Sequence, residues 1–240
     1  MFISEWNAFW ELFWTGGGWK RVVKVGLVNT LIIAVLGLLI GIVIGTLVGI
    51  VRVMPKYKLF PKILNGICTV YVEFFRGTPI VVQLLLAYYV LFPLMNVSIS
   101  SLSTCIIIFG INSGAYVSEI MRSGIQSVDP GQMEGGRAVG LSFSAAMLKI
   151  VVPQAIKNIL PTLGNEFIAL VKDTSVVSFV AATDLYKVFT EIGNINYEYL
   201  APYLMMALIY LVLVLLISWG VKAMEKAFAK SDRQHAKSNG

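Results

Sequence analysis

Long uncharged stretches dominate the hydrophobic pattern of this chain. Residues 25–51, 77–118 and 199–221 contain no Asp, Glu, Lys or Arg. A helix that crosses a membrane needs about 20 predominantly apolar residues. The three stretches therefore predict one span, two spans and one span respectively.

A further apolar segment, interrupted by proline and by polar side chains, predicts another crossing. The expected spans are at about 25–51, 79–91, 102–118, 150–182 and 203–221. Composition agrees, because 57% of the 240 residues are hydrophobic and only 13% are charged, whereas about a quarter of a soluble domain is charged. We expect an all-α, polytopic membrane protein with five transmembrane helices.

The basic residues predict how the chain is oriented. The loop 52–62 carries four positive charges and no negative one, and the tail after the last span is also basic, whereas the connection 183–199 is acidic. Loops rich in Lys and Arg stay in the cytoplasm. The N-terminus is expected outside and the C-terminus inside, and the formal net charge of +6 is interpreted as topology rather than as a sign of nucleic-acid binding.

The chain is expected to have three parts. Residues 1–24 are interpreted as an interfacial segment, 25–227 as the membrane domain and 228–240 as a polar cytoplasmic tail. Within the first span, glycines recur every four residues at 37, 41, 45 and 49. This spacing puts them on one helical face and predicts close approach of another helix.

A polar loop at about 123–153 contains the signals of a short, self-capped helix. Asp129 is a favourable N-cap and Pro130 suits the first helical position. Glu134 complements the positive end of the helix, and Gly140 is expected to stop it. A rigid helix between two spans would suit contact with a partner, although an ordinary interfacial helix explains these signals equally well.

A second short helix is expected to follow in the same loop. Ser142 or Ser144 would cap it, and it would end by Pro153.

The spacing within this loop resembles that of a known family. Glu134, Gly135 and Gly136 are followed after three residues by Gly140, and after nine more by the run 150–153, Ile-Val-Val-Pro. This is similar to the Glu-Ala-Ala loop of ABC importer permeases. Blocks at 73–79, 115–122 and 171–175 resemble the polar-amino-acid branch of that family.

One departure from the family pattern is that two glycines replace the two alanines. Glycine costs up to about 1 kcal/mol more than alanine inside a helix. The helix could therefore be looser, or it could approach a neighbour more closely, and the sequence leaves both open.

The resemblance implies partners and a direction of transport. It implies a permease of the bacterial inner (cytoplasmic) membrane that associates with a dimer of ATP-binding subunits, a second identical or similar permease subunit and an extracellular substrate-binding protein, and that carries a polar amino acid. The loop 129–153 would couple to the ATPase through a coupling helix between spans 3 and 4. The implied coupling residues are Asp129, Pro130, Glu134, Gly135, Gly136, Arg137, Gly140 and Pro153.

The sequence offers no chemistry of its own for ATP use. It has no Gly-x-x-x-x-Gly-Lys-Ser/Thr run that could cradle phosphates, so ATP hydrolysis is expected on a separate chain and this one is expected not to be an enzyme. No His or Cys spacing predicts a metal, and no cofactor is expected. The alternative function is a secondary transporter or channel driven by an ion gradient.

Ionisable residues inside the membrane are the candidates for substrate contact, since they are costly there. Glu166 could hold a cationic group, and Thr174, Ser175 or a helix end could bind a carboxylate. The full candidate set is Glu166, Asn165, Asp173, Thr174, Ser175, Asn112 and Tyr116. Two alternatives stay open: Lys172 and Asp173 could simply pair, and Asn112 and Tyr116 could simply join spans.

Overall fold

The computed structural model describes residues 2–54 and 57–238, and the side chains of 6–54 and 57–228. The described residues form helices and no strand. In chain order the helices are α1 (Phe2–Trp14), α2 (Gly18–Val53), α3 (Leu59–Gly77), α4 (Ile80–Leu94), α5 (Ser101–Gln126), α6 (Pro130–Ala138), α7 (Phe143–Val180), α8 (Leu185–Asn196) and α9 (Leu200–Ser238). Helices α2, α4 and α7 each contain a π-helical turn, and α7 ends in a 3₁₀ segment, Thr174–Val180.

Four helices, α2, α5, α7 and α9, are long and apolar enough to cross a membrane. A fifth crossing is available if α3 and α4, which meet at an angle of 104°, together form one broken span. The polytopic all-helical fold is thereby confirmed. The helix that contains the first predicted span begins at Gly18 rather than at residue 25, and α9 continues beyond residue 228 into the polar tail as far as Ser238.

The prediction that a separate short helix ends by Pro153 is wrong. Helix α7 starts at Phe143, passes through a π-helical turn at Met147–Val151 and continues to Val180. Proline lacks an N–H and its ring crowds the preceding turn. Here the π-helical turn lies directly before Pro153, which then occupies the first turn of the next regular helical stretch. Pro161 is also accommodated within α7.

Helices α2 and α5 pack closely through glycines, as their spacing predicts. A Cβ atom on Gly45 would lie 2.6 Å from Cβ of Val117, and one on Gly41 would lie 2.6 Å from Oγ of Ser113. On α5, Gly110 is covered in the same way by Ile40. Any side chain at these positions would force the backbones apart.

In another part of the bundle, helices α1 and α8 pack against each other. Phe13 of α1 stacks on Phe189 of α8 with ring centroids 6.5 Å apart. Asp184 is fully buried and caps α8, because its carboxylate accepts from the N–H groups of Tyr186 at 3.1 Å and Lys187 at 2.9 Å. Burial raises the pKa of Asp184 above its usual value, and these backbone N–H groups oppose that rise.

The segment predicted to be interfacial, residues 1–24, is divided between α1 and the start of α2.

Candidate functional site

The break between α3 and α4 exposes backbone carbonyls that need partners. The carbonyl of Phe75 would normally accept from the N–H four residues later, but that residue is Pro79. The side-chain amide of Gln83 instead donates to the carbonyl oxygens of Phe75 and Thr78, each at 3.0 Å. Asn112 donates to the Phe75 carbonyl at 3.1 Å and to Oε1 of Gln83 at 3.0 Å. The side-chain amides of Gln83 and Asn112 thus supply hydrogen bonds that the backbone lacks between α3 and α4.

Asn112 therefore has a defined structural contact. Its amide nitrogen is committed to α3 and α4, and the side chain is only 7% exposed. Gln83, its partner, is 6% exposed and was not among the sequence candidates. The only local signal for it is a polar residue inside an uncharged span.

A cavity of about 660 Å³ that has charged side chains in its lining lies beside the break. We call it the Glu166 cavity. It brings together four of the sequence candidates, Asn112, Tyr116, Glu166 and Asp173, with Arg76 from the end of α3. Arg76 was missed by the sequence analysis as a site residue, because only the fold carries it across to α7.

The remaining candidates lie elsewhere. Asn165 is exposed and does not line the cavity. Thr174 is fully buried and its hydroxyl donates to the carbonyl of Val171 at 2.8 Å. Ser175 is half-buried beside Thr174 and does not line the cavity either.

Glu166 is positioned by α5. The hydroxyl of Ser113 donates to Oε1 of Glu166 at 3.0 Å. Ser113 is itself fully buried, and Gly41 of α2 lies in close contact with its side chain. The glycines of α2 thus fix the position of Ser113, and Ser113 in turn orients the Glu166 carboxylate.

Asp173 stands at the rim of the same cavity. Its side chain is exposed, as is that of Lys172. Within the described residues the two form no ion pair with each other. Asp173 consequently keeps its carboxylate available to a ligand in the cavity.

A cluster of charges lies next to this cavity, around Glu119. Its carboxylate pairs with Arg122 at 2.7 Å and with Arg52 of α2, and Nη1 of Arg76 is 3.9 Å away. Arg122 lies three residues after Glu119 on the same helix, whereas Arg52 and Arg76 reach it from other helices. These side chains line a second cavity of about 540 Å³, the Glu119 cavity.

The capping signals of α6 and of the helix that follows it are confirmed. Oδ1 of Asp129 accepts from the N–H of Gly131 at 2.8 Å, and Oγ of Ser142 accepts from the N–H of Ala145 at 3.2 Å. Gly140 has φ +90°, a conformation that favours glycine.

The two glycines of α6 have different surroundings. A Cβ atom on Gly136 would lie 2.7 Å from Cδ1 of Ile150, whereas one on Gly135 would meet nothing within 4 Å. Gly136 thus permits close approach of α6 to α7, and Gly135 faces away. At the end of α6, Val139 is 81% exposed, an apolar side chain without cover in this chain.

Comparison with known proteins places these features in a family. Residues 41–230 match the binding-protein-dependent transport system inner membrane component. The chain belongs to this family. It is a multi-pass inner-membrane permease component and not an ATPase, and the family implies an ATPase and a binding protein as its partners. The ion-gradient alternative loses its support.

Named relatives cover most of the chain. The arginine transport system permease protein ArtQ of Bacillus subtilis is 38% identical over 162 residues, 68% of this chain and 74% of that protein. The L-cystine transport system permease protein TcyB of the same organism is 33% identical over 214 residues, 89% of this chain and 86% of that protein. A putative glutamine transport system permease protein GlnP of Rickettsia typhi is 38% identical over 164 residues, 68% of this chain and 75% of that protein.

Solved structures agree with the fold. The crystal structure of an amino acid ABC transporter with histidines matches with a TM-score of 0.81 and 36% identity, over 90% of this chain and 98% of that one. An inward-facing structure of the MetNI methionine ABC transporter matches with a TM-score of 0.72 over 84% of this chain and 94% of that one. At 20% identity, the second likeness concerns the fold alone.

Proposed function

We propose that this permease carries polar amino acids, with a preference for cationic ones, through the Glu166 cavity. The observation that carries the proposal is the charge arrangement there, in which one guanidinium, that of Arg76, shares a cavity with the carboxylates of Glu166 and Asp173. A zwitterionic amino acid offers the complementary set of groups.

Each end of such a substrate has a partner in the cavity. Arg76 can bind the α-carboxylate through two parallel hydrogen bonds, a geometry that guanidinium and carboxylate favour. One carboxylate is enough for the α-ammonium group, and either Glu166, oriented by Ser113, or Asp173 can accept from it. The other carboxylate then adds a second negative charge for a basic side chain. Of the residues first considered, Thr174 is a poor carboxylate ligand because its hydroxyl is already used.

The relatives support the substrate class. Three of them are named for the transport of arginine, glutamine and L-cystine, all polar amino acids. They do not share one side chain, which agrees with a cavity that recognises the common α-amino and α-carboxylate groups.

The remaining expected partners are those that the family implies. Helix α6 would dock on a dimer of ATP-binding subunits with Glu134, Gly135, Arg137 and Val139, which are exposed, while Gly136 fixes α6 to α7. A second permease subunit, identical or similar, would complete the pathway. An extracellular binding protein would deliver substrate. The N-terminus of this chain would lie outside the membrane and its C-terminus inside.

Paired substitutions test the substrate assignment. Glu166→Gln and Asp173→Asn keep side-chain shape and remove charge, so uptake of arginine or lysine into proteoliposomes should fall about tenfold and uptake of glutamine much less. Arg76→Gln should reduce uptake of all three, because it removes the carboxylate ligand. Asn165→Asp, an exposed position outside the cavity, is the control. An equal loss for all substrates in Glu166→Gln, with the complex intact, would assign Glu166 a purely structural role.

A further inference from the structure

The Glu166 and Glu119 cavities meet at one partition. Both are lined by Arg76, Gly77 and Tyr116. The guanidinium of Arg76 lies over the ring of Tyr116, with 5.4 Å between its central carbon and the ring centroid. These two side chains therefore stand between the cavities and belong to both.

Arg76 is held loosely for a residue with five N–H donors. The nearest carboxylate oxygen, Oε1 of Glu119, is 3.9 Å away, beyond hydrogen-bond distance. Among the described residues its guanidinium makes no hydrogen bond. Glu119 is already engaged by Arg52 and by two hydrogen bonds from Arg122 at 2.7 and 3.1 Å. The Tyr116 ring is thus the main contact that keeps Arg76 in place.

The Glu119 cavity also carries an excess of positive charge. Three arginines line it, Arg52, Arg76 and Arg122, against Glu73 and Glu119, which leaves one net positive charge. A carboxylate that entered this cavity would meet Arg76 with its donors unused. It would also lie near Arg52, which lines a neighbouring cavity together with Asp129 and Pro130 of the α6 segment.

We propose that the Glu119 cavity is a second binding station for the carboxylate of the transported amino acid. Arg76 passes the carboxylate from the Glu166 cavity to the Glu119 cavity by turning about its flexible stem past Tyr116, and Glu119 limits how tightly the second station binds. This inference rests on the proposed function, since it takes the Glu166 cavity as the first station.

The ring of Tyr116 gives the first test. The permease and its ATPase subunit are reconstituted in liposomes without ATP, and exchange of labelled arginine across the membrane is measured. Tyr116→Ala removes the partition and the contact with Arg76, so exchange should rise about fivefold, the order expected for loss of one cation–π contact. With ATP present, the amount of arginine imported per ATP hydrolysed should fall.

Tyr116→Phe is the matched control, since it keeps the ring and removes a hydroxyl that forms no hydrogen bond with any described residue. It should change exchange and import per ATP much less than Tyr116→Ala does. Exchange and import per ATP that are the same in Tyr116→Ala and Tyr116→Phe would overturn the proposal.

The charge of Glu119 gives the second test, by equilibrium binding of labelled arginine to the detergent-purified complex without ATP. Glu119→Gln keeps the shape, removes the competing carboxylate and should tighten binding about threefold, while transport slows because release is impeded. Unchanged or weaker binding would overturn the proposal. Failure of the proposed function looks different: the unaltered protein would then neither bind nor import an amino acid.

Discussion

The two faces of α5 are built in opposite ways. One face presents Phe109, Ser113, Val117 and Met121 to the glycines of α2, so closely that no further atom fits at Gly41 or Gly45. The other face presents Asn112, Tyr116 and Glu119 to the Glu166 and Glu119 cavities. The first face is held mainly by close contact, and the second by directional hydrogen bonds and charge pairs.

The contrast explains how polar groups can be placed accurately beside open space. A side chain at a cavity has few neighbours to fix it, so its position depends on the backbone that carries it. Close packing against α2 gives α5 little freedom to tilt or slide. Ser113 joins the two faces, because it contacts Gly41 and also donates to Glu166.

The largest effect is expected from breaking the packed face. Gly45→Leu would drive side-chain atoms into Val117, where even a Cβ atom would be 2.6 Å away, so the protein should lose about 3 kcal/mol of stability or fail to assemble. Thermal unfolding in detergent measures the loss. Gly66→Ala is the control, since nothing lies within 4 Å of that position, and it should be neutral or slightly stabilising. Similar melting temperatures for Gly45→Leu and the unaltered protein would contradict the packing interpretation.

A smaller effect is expected on the polar face. Asn112→Leu leaves Oε1 of Gln83 without its donor and takes one donor from the Phe75 carbonyl, which should cost about 2 kcal/mol. Gln83→Leu should cost a similar amount. Because the two amides share partners, the double variant should lose clearly less than the sum of the two single losses. Additive losses would mean that the amides do not act together at the break.

Ser113→Ala tests the link between the faces. It removes one hydrogen bond to Glu166 without adding bulk against Gly41, so stability should change by about 1 kcal/mol. Binding of arginine should weaken about threefold, because the carboxylate loses its orientation. Ser118→Ala is the matched control on α5, since that buried hydroxyl donates to the carbonyl of Ala115 in its own helix at 2.8 Å. Equal binding in the two variants would remove Ser113 from the site.

The smallest effect is expected for the two adjacent glycines of α6, one packed and one open. Gly135→Ala should stabilise α6 by up to about 1 kcal/mol, because its position is open. Gly136→Ala should reduce stability slightly, since Cδ1 of Ile150 must move, and adding Ile150→Val should restore it. Melting temperature and substrate-stimulated ATP hydrolysis of the full complex are the measurements. A destabilising Gly135→Ala in the isolated permease would contradict the open surroundings of this position.

Local features were predictable in detail. The caps Asp129 and Ser142 and the stop at Gly140 depend on a few adjacent residues, and the structure contains each of them. The continuation of α7 through Pro153 was not predictable in this way, because a π-helical turn accommodates the proline. The structure also shows which of two adjacent glycines has a neighbour, a question that the sequence had left open.

The sequence by itself determined that this chain crosses a membrane, since long uncharged runs cannot be explained otherwise, and the spacing of its loop 129–153 indicated its family. Only the tertiary structure brought Arg76 to Glu166 and joined Arg52 and Arg76 to Glu119. The reason is physical: helical periodicity and caps act over a few residues, whereas these charges meet across four helices. Their meeting depends on how closely α2 approaches α5 and on the angle at which α3 breaks.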